Sequence, residues 1–237
     1  MPNVLVSGSS RGIGLAIAKA FCESGFRVVM NCKHDAEKLK KEADAIGAIG
    51  IRADVSSYDE ANRLFNEVGK TMDGIDILVN NAGVSSYGLF SDTNPADWKA
   101  VMDTNFMSAL NCASLAVPAM LKKKNGVIIN ISSVWGTAGA SCEAVYSASK
   151  GAVNAFTKAL GKELAPSGIR VNAIACGVID TSMNNFLSDD EKSELIERIP
   201  AGRYGSPEEV AALAVFLASD QAKYINGQII TIDGAWL

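Results

Sequence analysis

Short apolar runs alternate with longer amphipathic stretches along the whole chain. Asn3 to Ser7, Phe26 to Asn31, Ala48 to Ala53, Ile75 to Val79, Val127 to Ile131, Ile169 to Ala175 and Gln228 to Ile232 read as strands. Between them lie helical stretches: Leu15 to Ser24 (stopped by Gly25), 36–46, Ser57 to Thr71, one opening at Pro95, Asn105 to Lys124, Tyr146 to Leu164, a short one near 189–198, and one opening at Pro207. Regular β-α alternation with short links predicts an α/β fold: a doubly wound, seven-stranded parallel sheet with helices on both faces. No low-complexity segment or charge-run linker interrupts it, which predicts a single domain over residues 1–237.

In such sheets ligands bind outside the C-terminal ends of the strands. The first strand runs directly into Gly8-Ser9-Ser10-Arg11-Gly12-Ile13-Gly14 and then a helix. Strand, glycine loop, helix is the Rossmann-type context in which glycines admit a pyrophosphate to the backbone and the helix N-terminus supplies N–H donors. The spacing is G-x-x-x-G-x-G rather than G-x-G-x-x-G, and a plain turn with packing glycines is the alternative. At the end of the second strand an acid would bind the ribose 2′-hydroxyl of NAD. Cys32, Lys33 and His34 stand there instead, and Arg11 lies in the loop opposite. No acid and two cations favour a 2′-phosphate, hence NADP over NAD, while Asp35 reads as the cap of the next helix. Asp54, with Val55, follows the third strand and either accepts from an adenine amino group or caps a helix. Asn80-Asn81-Ala82-Gly83 follows the fourth strand and Ser132-Ser133 the fifth.

Composition narrows the function. The net charge is −4 with no long basic block, so nucleic acid and anionic membrane are not expected partners. No apolar run approaches the ~18–20 residues of a membrane span, and no export signal precedes the first strand. Five cysteines without paired spacing suggest reduced thiols in a cytoplasm. A single histidine, His34, excludes a histidine-based triad, and no metal site is expected.

Tyr146-Ser147-Ala148-Ser149-Lys150 opens the helix that follows the fifth strand. Four residues apart, Tyr146 and Lys150 share one helix face. A phenol titrates near 10, and a nearby ammonium would draw that value down, giving a tuned acid/base. Alone, the pair reads equally as a solvated face. The convergence of the glycine loop, Cys32, Asp54, Asn80–Gly83 and Ser133 at strand ends favours the functional reading.

These motifs together, with a serine thirteen residues before Y-x-x-x-K and the tail from Tyr224 to Gly234, resemble the short-chain dehydrogenase/reductase family over essentially the whole length. Within it the chain looks closest to bacterial 3-oxoacyl-acyl-carrier-protein reductases. The resemblance implies NADPH-dependent reduction of a ketone by a tetrad of Asn105, Ser133, Tyr146 and Lys150. Tyr146 would protonate the carbonyl oxygen, Lys150 would hold the nicotinamide ribose and lower the tyrosine pKa, Ser133 would align the carbonyl, and Asn105 would support a water chain. It also implies cofactor contacts from Gly8, Ser10, Arg11, Gly12, Ile13, Gly14, Cys32, Lys33, Asp54, Val55, Asn81, Ala82, Gly83, Gly177, Ile179 and Thr181. A lid over about 177–200 and a homotetramer would follow.

Three departures stand out. Cys176-Gly177 replaces the family's usual Pro-Gly. Ser167 stands where a carrier-docking arginine is common, leaving Lys122, Lys123 and Lys124 as candidates for an acyl carrier protein. Ser85, Tyr87, Trp135, Glu143, Met183 and Phe186 lie on segments that would line the substrate pocket, where Trp135 and Phe186 add bulk. The expected substrate is a 3-oxoacyl thioester; a hydroxysteroid, sugar alcohol or other small ketone is the alternative on the same scaffold. A non-catalytic dinucleotide sensor is a remote third reading.

Overall fold

The computed structural model describes residues 1–184 and 188–237. Its seven strands are β1 (Asn3–Val6), β2 (Arg27–Cys32), β3 (Ile49–Arg52), β4 (Ile77–Asn80), β5 (Gly126–Ser133), β6 (Ile169–Cys176) and β7 (Ile229–Ile232). All pair in parallel in one sheet ordered β3-β2-β1-β4-β5-β6-β7. Nine helices cover it among the described residues: α1 (Gly12–Glu23), α2 (Ala36–Ile46), α3 (Tyr58–Thr71), α4 (Pro95–Met102), α5 (Ser108–Lys123), α6 (Trp135–Ala138), α7 (Ala144–Leu164), α8 (Asp189–Glu197) and α9 (Pro207–Ala218).

Alternation along each strand builds two cores. Val4, Val6, Val28, Met30, Ile77, Val79, Val127 and Ile129 face a layer formed by α1, α2 and α9. Leu5, Val29, Leu78 and Ile128 face the layer of α3, α5 and α7. Both faces are dry, so β1, β4 and β5 are buried at every position, whereas the edge strands β3 and β7 are partly open.

The order reverses between β1 and β4, because the chain crosses from β3 at one edge back to the middle. That switch point opens a crevice above the strand ends, where ligands of such sheets bind.

Several boundaries differ from the sequence reading. α1 begins at Gly12, because Arg11 in extended geometry is its N-cap. β5 runs on to Ser132 and Ser133, paired with Ala175 and Cys176, since a parallel ladder needs only backbone. Between α4 and α5 the chain does not break: Asp103–Met107 forms a π-helical turn joining them. α6 is an unexpected short helix between β5 and α7.

Candidate active site

The two loops at the switch point are fastened together. Ser7 Oγ accepts from the backbone N–H of Asn81 (3.0 Å) and of Ala82 (3.1 Å). The Asn81 amide nitrogen donates to the Ser7 and Gly8 carbonyls, both at 2.9 Å. Gly8 has a φ of +63°, and a Cβ there would lie 2.8 Å from Ala82 Cα, so only glycine fits. The Asn81 side chain, expected at the cofactor, is instead occupied in holding the glycine loop, although Asn81 still lines the crevice.

The crevice is a cavity of about 960 Å³ lined by Gly8, Ser10, Arg11, Gly12, Ile13, Gly14, Cys32, Lys33, Asp54, Val55, Ala82, Gly83 and Thr181, among others. At its floor, α1 starts with no side-chain cap and no acid in its first turn. α2, α3, α4 and α9 are each capped by a side chain. The free N–H groups of α1 therefore form an anion site. Asp35 caps α2 by accepting from the Lys38 N–H at 2.9 Å. Asp54 does not cap α3; Ser57 does. Asp54 accepts from the N–H (3.0 Å) and hydroxyl (2.5 Å) of Ser56, and its Oδ2 lies 2.8 Å from Lys33 Nζ. Partial burial disfavours its charge, but the Lys33 and Ser56 bonds prevail and hold the carboxyl below the usual range.

A second cavity of about 500 Å³ adjoins the first, sharing Ile13, Asn81, Gly83, Ser85, Thr181 and Met183. Ser133, Tyr146 and Lys150 line it. The Tyr146 hydroxyl faces the Ser133 side chain, which favours its phenolate. Ser133 Oγ also accepts from the Trp135 N–H at 3.2 Å. Ser132 turns toward α7, donating to Asn154 Oδ1 at 2.7 Å, which separates the two serines. Lys150 is buried and donates to the Ile131 carbonyl at 2.9 Å. Burial lowers its pKa to about 8. Asn105, buried on the π-helical turn, bonds both backbone groups of Val84 and donates to Ser149 Oγ at 3.0 Å. A Cβ on Gly83 would lie 3.4 Å from Asn105 Oδ1 and 3.5 Å from Lys150 Nζ, so Gly83 keeps open the space between them.

One expectation is reversed. Lys150 was expected to depress the Tyr146 pKa, but burial pushes it upward, the Ser133 side chain only partly offsets this, and nearby Glu143 adds to the rise. The ammonium lies 5.7 Å from the ring centroid and points at Ile131, and its own charge is disfavoured by burial.

The outer wall of the second cavity joins three elements. Glu143 Oε1 accepts from Ser85 Oγ at 2.9 Å, with Trp135 lining the same wall. Burial raises the Glu143 pKa, and its Ser85 and Trp135 neighbours only partly oppose this. Trp135 packs edge-on to Trp236, centroids 4.9 Å apart. Met183 and Gly177 line the same cavity. Phe186 and part of the expected 177–200 lid lie outside the described residues.

Residues 8–236 match the family profile described as enoyl-(acyl carrier protein) reductase. The chain is 40% identical to the 3-oxoacyl-(acyl-carrier-protein) reductase FabG of Staphylococcus epidermidis, over 98% of this chain and 97% of that protein. It is 38% identical to the uncharacterized oxidoreductase YmfI of Bacillus subtilis, with 98% and 97% covered. A solved structure titled as a putative gluconate dehydrogenase from Agrobacterium tumefaciens superposes with a TM-score of 0.96 at 33% identity, covering 99% of this chain and 95% of that one.

The chain belongs to the short-chain dehydrogenase/reductase family. It is an oxidoreductase acting on CH–OH or ketone groups. In this short-chain dehydrogenase/reductase the sequence reading missed the cavity residues Val134, Gly139, Ala140, Ser141 and Trp236, whereas Val178, Leu195 and Arg198 fall within the expected lid segment. Trp236 arrives because the tail turns back on itself, with Asp233 accepting from the Ala235 and Leu237 N–H groups at 3.0 Å. Lys122, Lys123 and Lys124 lie at the opposite end of the sheet from the cavities of the same chain. Lys123 pairs with Asp76 at 2.9 Å, and β5 then separates this end from Ser133 by roughly 25 Å. No helix among the described residues is long and apolar enough to cross a membrane.

Proposed function

We propose that the protein reduces the ketone of a 3-oxoacyl thioester to a secondary alcohol with NADPH. The observation that carries this is the grouping of Ser133, Tyr146 and Lys150 on one substrate-sized cavity that opens into a dinucleotide-sized crevice. The residues present fit the cofactor: an uncapped helix N-terminus for the pyrophosphate, a loop where a Cβ at Gly8 would collide, and Arg11 and Lys33 for a 2′-phosphate. Bound there, the nicotinamide supplies the hydride. Ser133 and Tyr146 hold the carbonyl oxygen, and Tyr146 gives it the proton as negative charge develops. With its pKa raised, Tyr146 keeps that proton at neutral pH, which suits it to the reductive direction. Lys150 returns a proton to the phenolate through the space kept by Gly83 and Asn105. The FabG relatives support the thioester assignment, and the family resemblance supports a cytoplasmic homotetramer that receives its substrate from an acyl carrier protein.

The test is the initial rate of NADPH oxidation with a short 3-oxoacyl thioester, run beside an oxo-steroid. Turnover of the thioester alone is expected. Turnover of the steroid alone would move the protein to the hydroxysteroid reading, and neither would overturn ketone reduction.

A further inference from the structure

Glu143 holds the N-cap position of α7 yet caps nothing: no backbone N–H of the helix bonds its side chain. Asp, Asn, Ser and Thr at that position turn onto their own helix, whereas the longer glutamate does not. Here the carboxylate turns into the substrate cavity, three residues before Tyr146, where Ser85 Oγ donates to it at 2.9 Å. The Ser85–Glu143 bond joins segments 58 residues apart, and the Trp135 ring beside it packs against Trp236. An ionised carboxylate has about four lone-pair sites, and the one donor leaves about three. Helix packing does not require this arrangement. It places a fixed acceptor beside the proton donor.

We infer that Glu143 is a specificity-determining residue, which accepts a hydrogen bond from a hydroxyl group of the substrate located a few bonds from the reacting carbonyl. A hydroxyl suits it better than an ammonium, because the carboxylate already accepts from Ser85 and the Arg198 cation stands on the same cavity. The cavity then reads a ketone with one apolar side, against Trp135 and Trp236, and one hydroxylated side, against Glu143. This rests on the ketone-reductase reading above and narrows it to 3-oxoacyl chains that carry a hydroxyl near the reacting ketone, a group that an unsubstituted 3-oxoacyl thioester lacks.

The test compares kcat/KM for butan-2-one, 1-hydroxybutan-2-one and 4-hydroxybutan-2-one under saturating NADPH in wild type, Glu143→Gln, Glu143→Ala and Ser85→Ala. The wild-type preference for at least one hydroxyketone over butan-2-one is expected to fall about tenfold or more in both Glu143 variants. In Ser85→Ala, which keeps the carboxylate but frees it, an intermediate fall is expected. NADPH titration of each variant shows that the fold is intact. Hydroxyketone-to-ketone ratios unchanged across all four proteins would overturn this inference alone. No turnover of the three butanones by wild type, with the 3-oxoacyl thioester still reduced, would overturn this inference alone; no turnover of the thioester either would overturn the proposed function and this inference with it.

Discussion

Lys33 Nζ lies 2.8 Å from the Asp54 carboxylate, at the rim of the crevice distant from Tyr146. The cation assigned to a 2′-phosphate is therefore shared with an acid from the neighbouring strand end. Removing it has two effects: a charge-assisted bond worth ~1.5–3 kcal/mol is lost, and Asp54 is left facing the phosphate. Lys33→Ala should weaken NADPH binding by about tenfold or more and leave NADH nearly unchanged. Asp54→Asn should shift preference further toward NADPH. Fluorescence titration with both cofactors reads each case. Equal losses for NADPH and NADH in Lys33→Ala would remove Lys33 from 2′-phosphate recognition.

Gly14 supports the crevice from beneath. A Cβ there would lie 2.6 Å from the Gly8 carbonyl oxygen and also strike the Asn81 amide. Gly14→Ala must therefore push apart the two loops that Asn81 fastens. Overpacking of this kind costs roughly 1–3 kcal/mol. A lowered Tm together with weakened cofactor binding is expected, whereas Gly25→Ala, with open space around it, should disturb only its own turn. Unchanged cofactor affinity in Gly14→Ala would show that the loop contact is not needed.

The seven-stranded parallel sheet, the strand-end positions of Gly8, Asn81 and Ser133, and the helical position of Tyr146 were legible in the sequence because they follow from local patterns: alternation, glycine spacing and one helical turn. The Lys33–Asp54 pair was not, although the β2–β3 register that aligns Cys32 with Arg52 brings these residues together. Register is a tertiary outcome that periodicity does not encode. The position of Asn105 on a π-helical turn was hidden for a similar reason, since an apolar pattern continues through one extra residue. Trp236 reaches the cavity by a reversal of the C-terminal tail, far from the other lining residues in sequence. The direction of the Tyr146 pKa was misread because spacing reports a neighbouring charge but not the burial that opposes it.

Lys150 makes a stability prediction with a defined sign. Its folded-state pKa, about 8, lies below the usual 10.5. Below pH 8 the lysine is charged in both states and the full cost of burying it, on the order of 3 kcal/mol, is present. Between about 8 and 10.5 the unfolded chain binds more protons, so this cost is relieved as pH rises. Lys150→Met should therefore raise Tm at pH 7 by about 6–12 °C while abolishing turnover. The difference between variant and wild type should shrink from pH 8 to pH 10. Using the difference cancels the opposing alkaline loss from Cys112, pushed up to about 12. Cys176, also pushed up to about 12, loses in the variant the Lys150 charge that favours its thiolate, which adds to the shrinkage. A variant less stable than wild type at pH 7 would show that the Ile131 bond outweighs the buried charge.

Tyr146 separates chemistry from binding. It stands with Ser133 on the inner cavity, whereas the glycine loop, Lys33 and Asp54 lie in the outer crevice. Tyr146→Phe keeps the ring and its packing and removes only the proton donor. Acid catalysis contributes typically 10²–10⁴-fold, so kcat for ketone reduction should fall by that order while NADPH affinity stays within about twofold. Ser133→Ala should lower kcat less, because Tyr146 still holds the carbonyl oxygen, and it should raise KM because alignment is lost. Single-turnover rates with pre-bound NADPH isolate the chemical step. Full activity in Tyr146→Phe would mean that another group, with Lys150 nearest to hand, delivers the proton, and the role assigned to the Ser133–Tyr146 pair would fail.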